Sequence, residues 1–208
     1  DADHIAAIST LTSENRSMWR SCTIGMYWGV GHTTILLLVG LAVLFFKLTI
    51  PEDVARLFEA GVGAMLIGLG LSVGLTLWRE QMHVHPHVHE DGENHLHLHA
   101  HRSEDHHRHL HRFRVEYKSL AIGMVHGLAG SAALLLMVVS AVHSFTQGVA
   151  YILLFGIGSI GGMVVLGAVV SLPFALTPAS CVQATRALRA LAGLASLGLG
   201  TGILYELA

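Results

Sequence analysis

A chain of 208 residues with 52% apolar and only 12% charged side chains, and a mean hydropathy of +0.58, departs far from soluble domains, where about a quarter of residues are charged. A formal net charge of −2 offers no field for phosphates, which excludes nucleic acid as a partner, and long uncharged runs exclude both a disordered chain and an ordinary soluble enzyme. Two cysteines, Cys22 and Cys181, are too few for a disulfide scaffold. The composition is that of a polytopic protein in contact with a lipid bilayer.

In chain order, Asp1–Leu11 has a helical pattern, and no basic segment followed by an apolar run and a cleavage site is visible, so no signal peptide is identified. We expect it to be the remnant of a longer first helix, with something upstream missing or removed. Thr23–Phe46 is uncharged apart from His32 and ends at Lys47, ahead of Pro51. Leu57–Trp78 carries one acid, Glu59, near its start. Ser119–Val142 contains His126 as its single ionisable group. Val149–Leu172 has none and stops at Pro173, and Ala187–Leu207 is weaker, with Arg189 near its beginning. About 20 apolar helical residues cross a bilayer core. The expected fold is therefore all-α, with six transmembrane helices, the first incomplete.

Basic residues orient these spans. Ten lie in the connections after the first, third and fifth helices, and two, Lys47 and Arg56, lie after the second and fourth. The positive-inside rule places the richer set, and both cysteines with it, in the cytoplasm. An integral protein of the bacterial inner (plasma) membrane is the expected localisation. Small residues recur every fourth position in three stripes, Ala60–Ala64–Gly68–Ser72, Gly123–Gly127–Ser131 and Ala192–Ser196–Gly200. Such stripes let helices approach closely in lipid.

The second helix contains Trp28-Gly29-Val30-Gly31-His32 and the fifth Phe155-Gly156-Ile157-Gly158-Ser159. His4 and His126 occupy the first helix of each half. Three helices per half force the second half to enter from the opposite side, so two inverted repeats are expected, with a site near the midplane. The organisation is then 1–79 for the first repeat, 80–118 for a cytoplasmic loop and 119–208 for the second repeat.

Ionisable groups inside lipid are costly unless they are paired, face a cavity or hold an ion. Asp1 and His4, three residues apart, should share a helix face, with Asp3 turned about 100° from its neighbour. His32 sits beside Thr33 and Thr34, and His126 is followed by Gly127. Each imidazole suits either an interhelical hydrogen bond or a transition-metal ion. The segment 83–111 carries twelve more: His83, His85, His87, His89, His95, His97, His99, His101, His106, His107, His109 and His111. Alternate spacing in an extended chain puts neighbours about 6–7 Å apart on one side, so two or three can fold around one cation. The lack of a fixed tetrahedral framework points to a loose, multi-site chelator.

These residues resemble those of the nickel/cobalt transporter superfamily (the NiCoT/NicO type), closest to its UreH-like urease-accessory and six-helix efflux branch. Asp1-Ala2-Asp3-His4-Ile5-Ala6-Ala7-Ile8 is similar to the tail of its signature, and Gly31-His32-Thr33-Thr34 to its following motif. Gly123-Met124-Val125-His126-Gly127-Leu128-Ala129-Gly130-Ser131 looks like a second-half motif. The resemblance implies that Asp3 and His4 are transport-site ligands or lie beside them, that Asp1 falls in the signature's spacer, and that His32 matches the next motif. His126 follows from the UreH-like pattern and the repeat, while Ser159 stands where the first half has His32. The signature's upstream histidine would precede Asp1.

The expected function is transport of Ni²⁺ or Co²⁺, with Zn²⁺ as a further candidate, by a protein that is not an enzyme and has no catalytic residues or permanently bound cofactor. Protons competing for the same ligands should weaken binding toward pH ~6.5. Expected partners are the metal ions, a second copy of the chain or a metallochaperone. Rival readings are a zinc or iron transporter of another family, an accessory factor that stores or delivers nickel for metalloenzyme maturation, and a thiol-disulfide electron carrier using Cys22 and Cys181.

Overall fold

The computed structural model describes residues 2–13, 17–47, 51–81, 115–129, 144–178 and 181–208, and these form helices throughout. In chain order they are α1 (Ala2–Thr12), α2 (Met18–Phe46) and α3 (Glu52–Gln81), then α4 (115–129), α5 (Phe145–Leu176) and α6 (Val182–Leu207). α2, α3, α5 and α6 are long and apolar enough to cross a membrane. Four such helices are the spans of an integral membrane protein.

The long helices extend past the boundaries read from hydropathy because their polar first turns, such as Glu52-Asp53 in α3 and Val182–Arg186 in α6, continue the same backbone. Pro173 does not stop α5, which runs on to Leu176. A membrane helix tolerates the missing N–H near its end. Here the Thr177 hydroxyl and backbone N–H both donate to the Pro173 carbonyl, at 2.6 and 3.2 Å, and close the final turn.

Many large apolar side chains, such as Phe45, Leu57, Leu154 and Ile157, face outward, and the helix contacts combine glycine, alanine and serine with buried apolar residues such as Ile8, Ile24 and Leu66. That is what lipid as solvent selects, since helices gain dispersion contacts only where their backbones come close. α2 packs chiefly on α5, and α3 on α6. Short α1 stands among α2, α3, α5 and α6, burying Ala6, Ala7, Ile8 and Leu11.

Each close pairing carries a hydroxyl donated to a neighbouring carbonyl. Thr33 donates to Gly156 at 3.0 Å between α2 and α5, Ser196 to Leu66 at 2.8 Å between α6 and α3, and Ser119 to Ile24 at 2.7 Å between α4 and α2. The stripe in α6 packs as expected, with Ala192, Ser196 and Gly200 buried. The stripe in α3 does not, since Ala64 and Gly68 are exposed. The contact face is instead the adjacent one, along Val62, Gly63, Leu66, Leu69, Gly70 and Val73, because Gly63 and Gly70 meet Gly200 and Gly193. Ser131 and the rest of the expected fourth span beyond residue 129 lie outside the described residues.

Candidate metal centre

Three helices meet at one place. α1 brings Asp3 and His4 in its first turn, α2 brings Trp28 and His32 four residues apart on one face, and α4 brings His126. His32 stands at the midpoint of the 29 residues of α2. Close approach of α4 to α2 depends on glycine. A Cβ on Gly127 would lie 2.8 Å from the His32 carbonyl oxygen and 3.3 Å from its Nδ1, and one on Gly123 would run into the Trp28 carbonyl.

Asp3 links α1 to α4. Its Oδ2 lies 3.0 Å from His126 Nε2 and its Oδ1 lies 2.9 Å from His4 Nδ1. The same Oδ1 accepts the His4 backbone N–H at 2.8 Å. The carboxylate thus folds back onto the backbone of its neighbour and also meets its ring. The expectation that Asp3 points away from His4 is thereby corrected. Asp1, expected to share the face of His4, lies outside the described residues, as do the twelve histidines of 83–111.

One ligand atom each from Asp3, His4 and His126 can be chosen so that all three lie within 4.8 Å of one another. Bonds of about 2.0–2.2 Å to a first-row divalent ion put opposite ligands about 4.2 Å apart. A small inward movement therefore suffices to grip an ion. His32 is not in that trio, but its ring centroid is 5.9 Å from that of His4 and 6.3 Å from that of His126. The rings of His4 and His126 are 4.3 Å apart. Ser159, the counterpart of His32 in the repeat, is half-buried on α5 and takes no part in the trio.

Trp28 is the member of the site that sequence reasoning passed over. It is fully buried and touches all three imidazoles, stacking on His32 at 5.0 Å with planes 12° apart and lying 4.9 and 5.2 Å from His4 and His126. Its position four residues before His32 was the available signal. Trp28 Nε1, His32 Nδ1 and His126 Nδ1 are all buried without a hydrogen-bond partner among the described residues. Buried polar groups nearly always find partners, so these three atoms on touching rings are unusual and are available to a polar ligand.

Comparison with known proteins agrees with this chemistry. Residues 1–182 match the family model NicO, described as a high-affinity nickel-transport protein. The urease accessory protein UreH of Bacillus sp. (strain TB-90) is 34% identical over 208 residues, which is 100% of this chain and 85% of that protein. From Arabidopsis thaliana, the chloroplast protein FOR GROWTH AND FERTILITY 2 is 26% identical over 162 residues, 77% of this chain and 40% of its own length. FOR GROWTH AND FERTILITY 1 is 24% identical over 204 residues, 98% of this chain and 54% of its own. The chain thus spans about half or less of these two plant proteins. No solved structure matches it.

Proposed function

We propose that the chain, which belongs to the NicO family, carries Ni²⁺ or Co²⁺ across a membrane and holds the ion midway on Asp3, His4 and His126. The carrying observation is the convergence of one carboxylate and two imidazoles from α1 and α4 within 4.8 Å, backed by buried, unpartnered ring nitrogens. His32 joins as a further ligand when the centre tightens, and Trp28 keeps the rings in register. Imidazole and carboxylate together suit Ni²⁺ and Co²⁺, and they accept Zn²⁺ as well.

Pairing of α2 with α5 and of α3 with α6 supports two inverted three-helix repeats that rock around this site. The histidine-rich segment then lies in the cytoplasm, by the distribution of basic residues, and collects or buffers the ion there. A bacterial inner membrane is the proposed location. A second reading has one finding in its favour, the full-length likeness to a urease accessory protein. In that reading the chain stores or delivers nickel and moves none.

Reconstitution in proteoliposomes separates the two. Luminal accumulation of Ni²⁺ supports transport, and binding confined to the histidine-rich segment supports storage. In a transporter, Asp3→Asn, His32→Ala or His126→Ala lowers Ni²⁺ flux about 100-fold. Removing an outer hydrogen-bond partner of a metal site alone costs 10–100-fold. Bulk Ni²⁺ binding by residues 83–111 persists in each variant. Undiminished flux in any variant removes that residue from the pathway.

A further inference from the structure

Three helices carry the same kind of residue pair in a terminal turn, an aromatic followed by a cation. Trp19-Arg20 lies in the first turn of α2, Trp78-Arg79 in the last turn of α3 and Tyr117-Lys118 in the first turn of α4. Hydrogen bonds place these turns at one end of the molecule. Arg189, near the start of α6, donates to Glu80 Oε1 at 2.8 Å and to the Ser13 carbonyl at 3.2 Å, a clasp that joins the ends of α3 and α1. α2 begins five residues after Ser13, and the Ser119 hydroxyl on the Ile24 carbonyl ties the start of α4 to that of α2.

The aromatic members project outward: Trp19 is 81% exposed, Trp78 56% and Tyr117 68%. Indole and phenol rings collect at the boundary of lipid and water, where one edge is wet and the body apolar. Beside each ring stands an exposed cation, and among the described residues no ion pair engages Arg20, Arg79 or Lys118. Arg186 and Arg189, by contrast, both lean on Glu80. Among the described residues this end holds five basic side chains against Glu80 and Glu116. The other end holds Glu52, Asp53, Glu59 and Glu206 against Lys47 and Arg56.

α2 and α4 bring two of the unpaired cations to one place. Ser119, Gly123 and Gly127 face Ile24, Trp28 and His32 at a constant sequence offset of 95, so the two helices run parallel and side by side. Arg20, one turn before Ile24, continues the α2 face that looks onto α4, at the height of Val115. Lys118 stands about 4.5 Å further along the axes. An arginine and a lysine on adjacent helices, at nearly one height and flanked by Trp19 and Tyr117, fit the phosphate of a lipid headgroup. The guanidinium offers a fork to two phosphate oxygens, and the ammonium a point charge.

We infer that an anionic phospholipid seats its headgroup on Arg20 and Lys118 between α2 and α4, with Arg79 holding the same leaflet at α3. This end of the molecule then faces an anionic membrane surface. Each cation near such a surface strengthens binding about 5-fold. The inference stands apart from the transport reading, because it uses none of the residues of the metal centre.

The test uses the whole chain in neutral detergent at about pH 8, where the histidines of 83–111 are uncharged. Phosphatidylglycerol is titrated against phosphatidylcholine of the same acyl chains, and the melting temperature is followed. Phosphatidylglycerol raises it with a saturating dependence, and phosphatidylcholine leaves it in place. Arg20→Gln/Lys118→Gln shifts the midpoint of that titration about 25-fold upward, at about 5-fold per cation. Arg20→Lys/Lys118→Arg, which keeps both charges, restores most of the shift, and Lys47→Gln at the other end causes none. Because the midpoint is read and not the melting temperature itself, a variant of lower intrinsic stability still reports on the site. Equal stabilisation by both lipids, an unchanged midpoint in the double glutamine variant, or equal protection by inorganic phosphate overturns the inference.

Discussion

Trp28 does for this site what no histidine does for itself. A flexible imidazole on a lipid-spanning helix has several rotamers, and a site for a dehydrated ion needs one. Packing His4, His32 and His126 against a single indole removes that freedom before the ion arrives. Two effects compete when it is replaced. Trp28→Phe keeps most of the wall and removes a buried N–H without a partner, so thermal stability changes by no more than about 1 kcal/mol. Trp28→Ala leaves a large void among packed rings and costs about 3–5 kcal/mol. Thermal denaturation in detergent, with Ni²⁺ absent, distinguishes them. Equal losses for Phe and Ala would mean that a phenyl ring cannot take the place of the indole among the imidazoles.

At the scale of elements, glycine position decides which helix faces meet. A Cβ on Gly70 would lie 2.6 Å from the Gly193 carbonyl oxygen, and one on Gly200 would lie 2.6 Å from that of Gly63, whereas Gly68 and Gly74 have no described neighbour within 4 Å. Gly70→Ala or Gly200→Ala must push α3 and α6 apart, an overpacking cost of about 1–3 kcal/mol. The same change at Gly68 or Gly74 gains up to about 1 kcal/mol of helix propensity. Opposite shifts in melting temperature are expected, and equal shifts would show that α3 and α6 do not pair as described. Here the sequence was legible in kind and not in phase. Hydropathy located the helices, and the excess of small residues announced close packing. The periodicity of small residues in α3, however, fits two adjacent faces, and the partner α6 selects between them.

Over the whole molecule, the proposed metal centre draws on described helices, while the histidine-rich run falls in sequence between α3 and α4. Deleting residues 83–111 should change affinity or regulation of transport while residual Ni²⁺ flux survives, measured as uptake against Ni²⁺ concentration. Complete loss of flux would make the segment part of the pathway. This division could be read directly from the chain. Composition alone makes an aqueous fold too costly, and ionisable side chains in uncharged runs stand out because lipid penalises them. Asp3, His4, His32 and His126 were therefore identifiable as single residues. That they share one transport site followed from the resemblance, but the distances between them did not, because those depend on where α1 and α4 meet α2, with glycines admitting one backbone to another. The contact of Asp3 with both His4 and His126, the ring contacts of Trp28 and the clasp of Arg189 on Glu80 are likewise products of assembly. Solvation energy acts on each residue according to its own chemistry and so is written in the linear chain. Coordination geometry depends on distances between residues more than a hundred positions apart, and folding alone sets those.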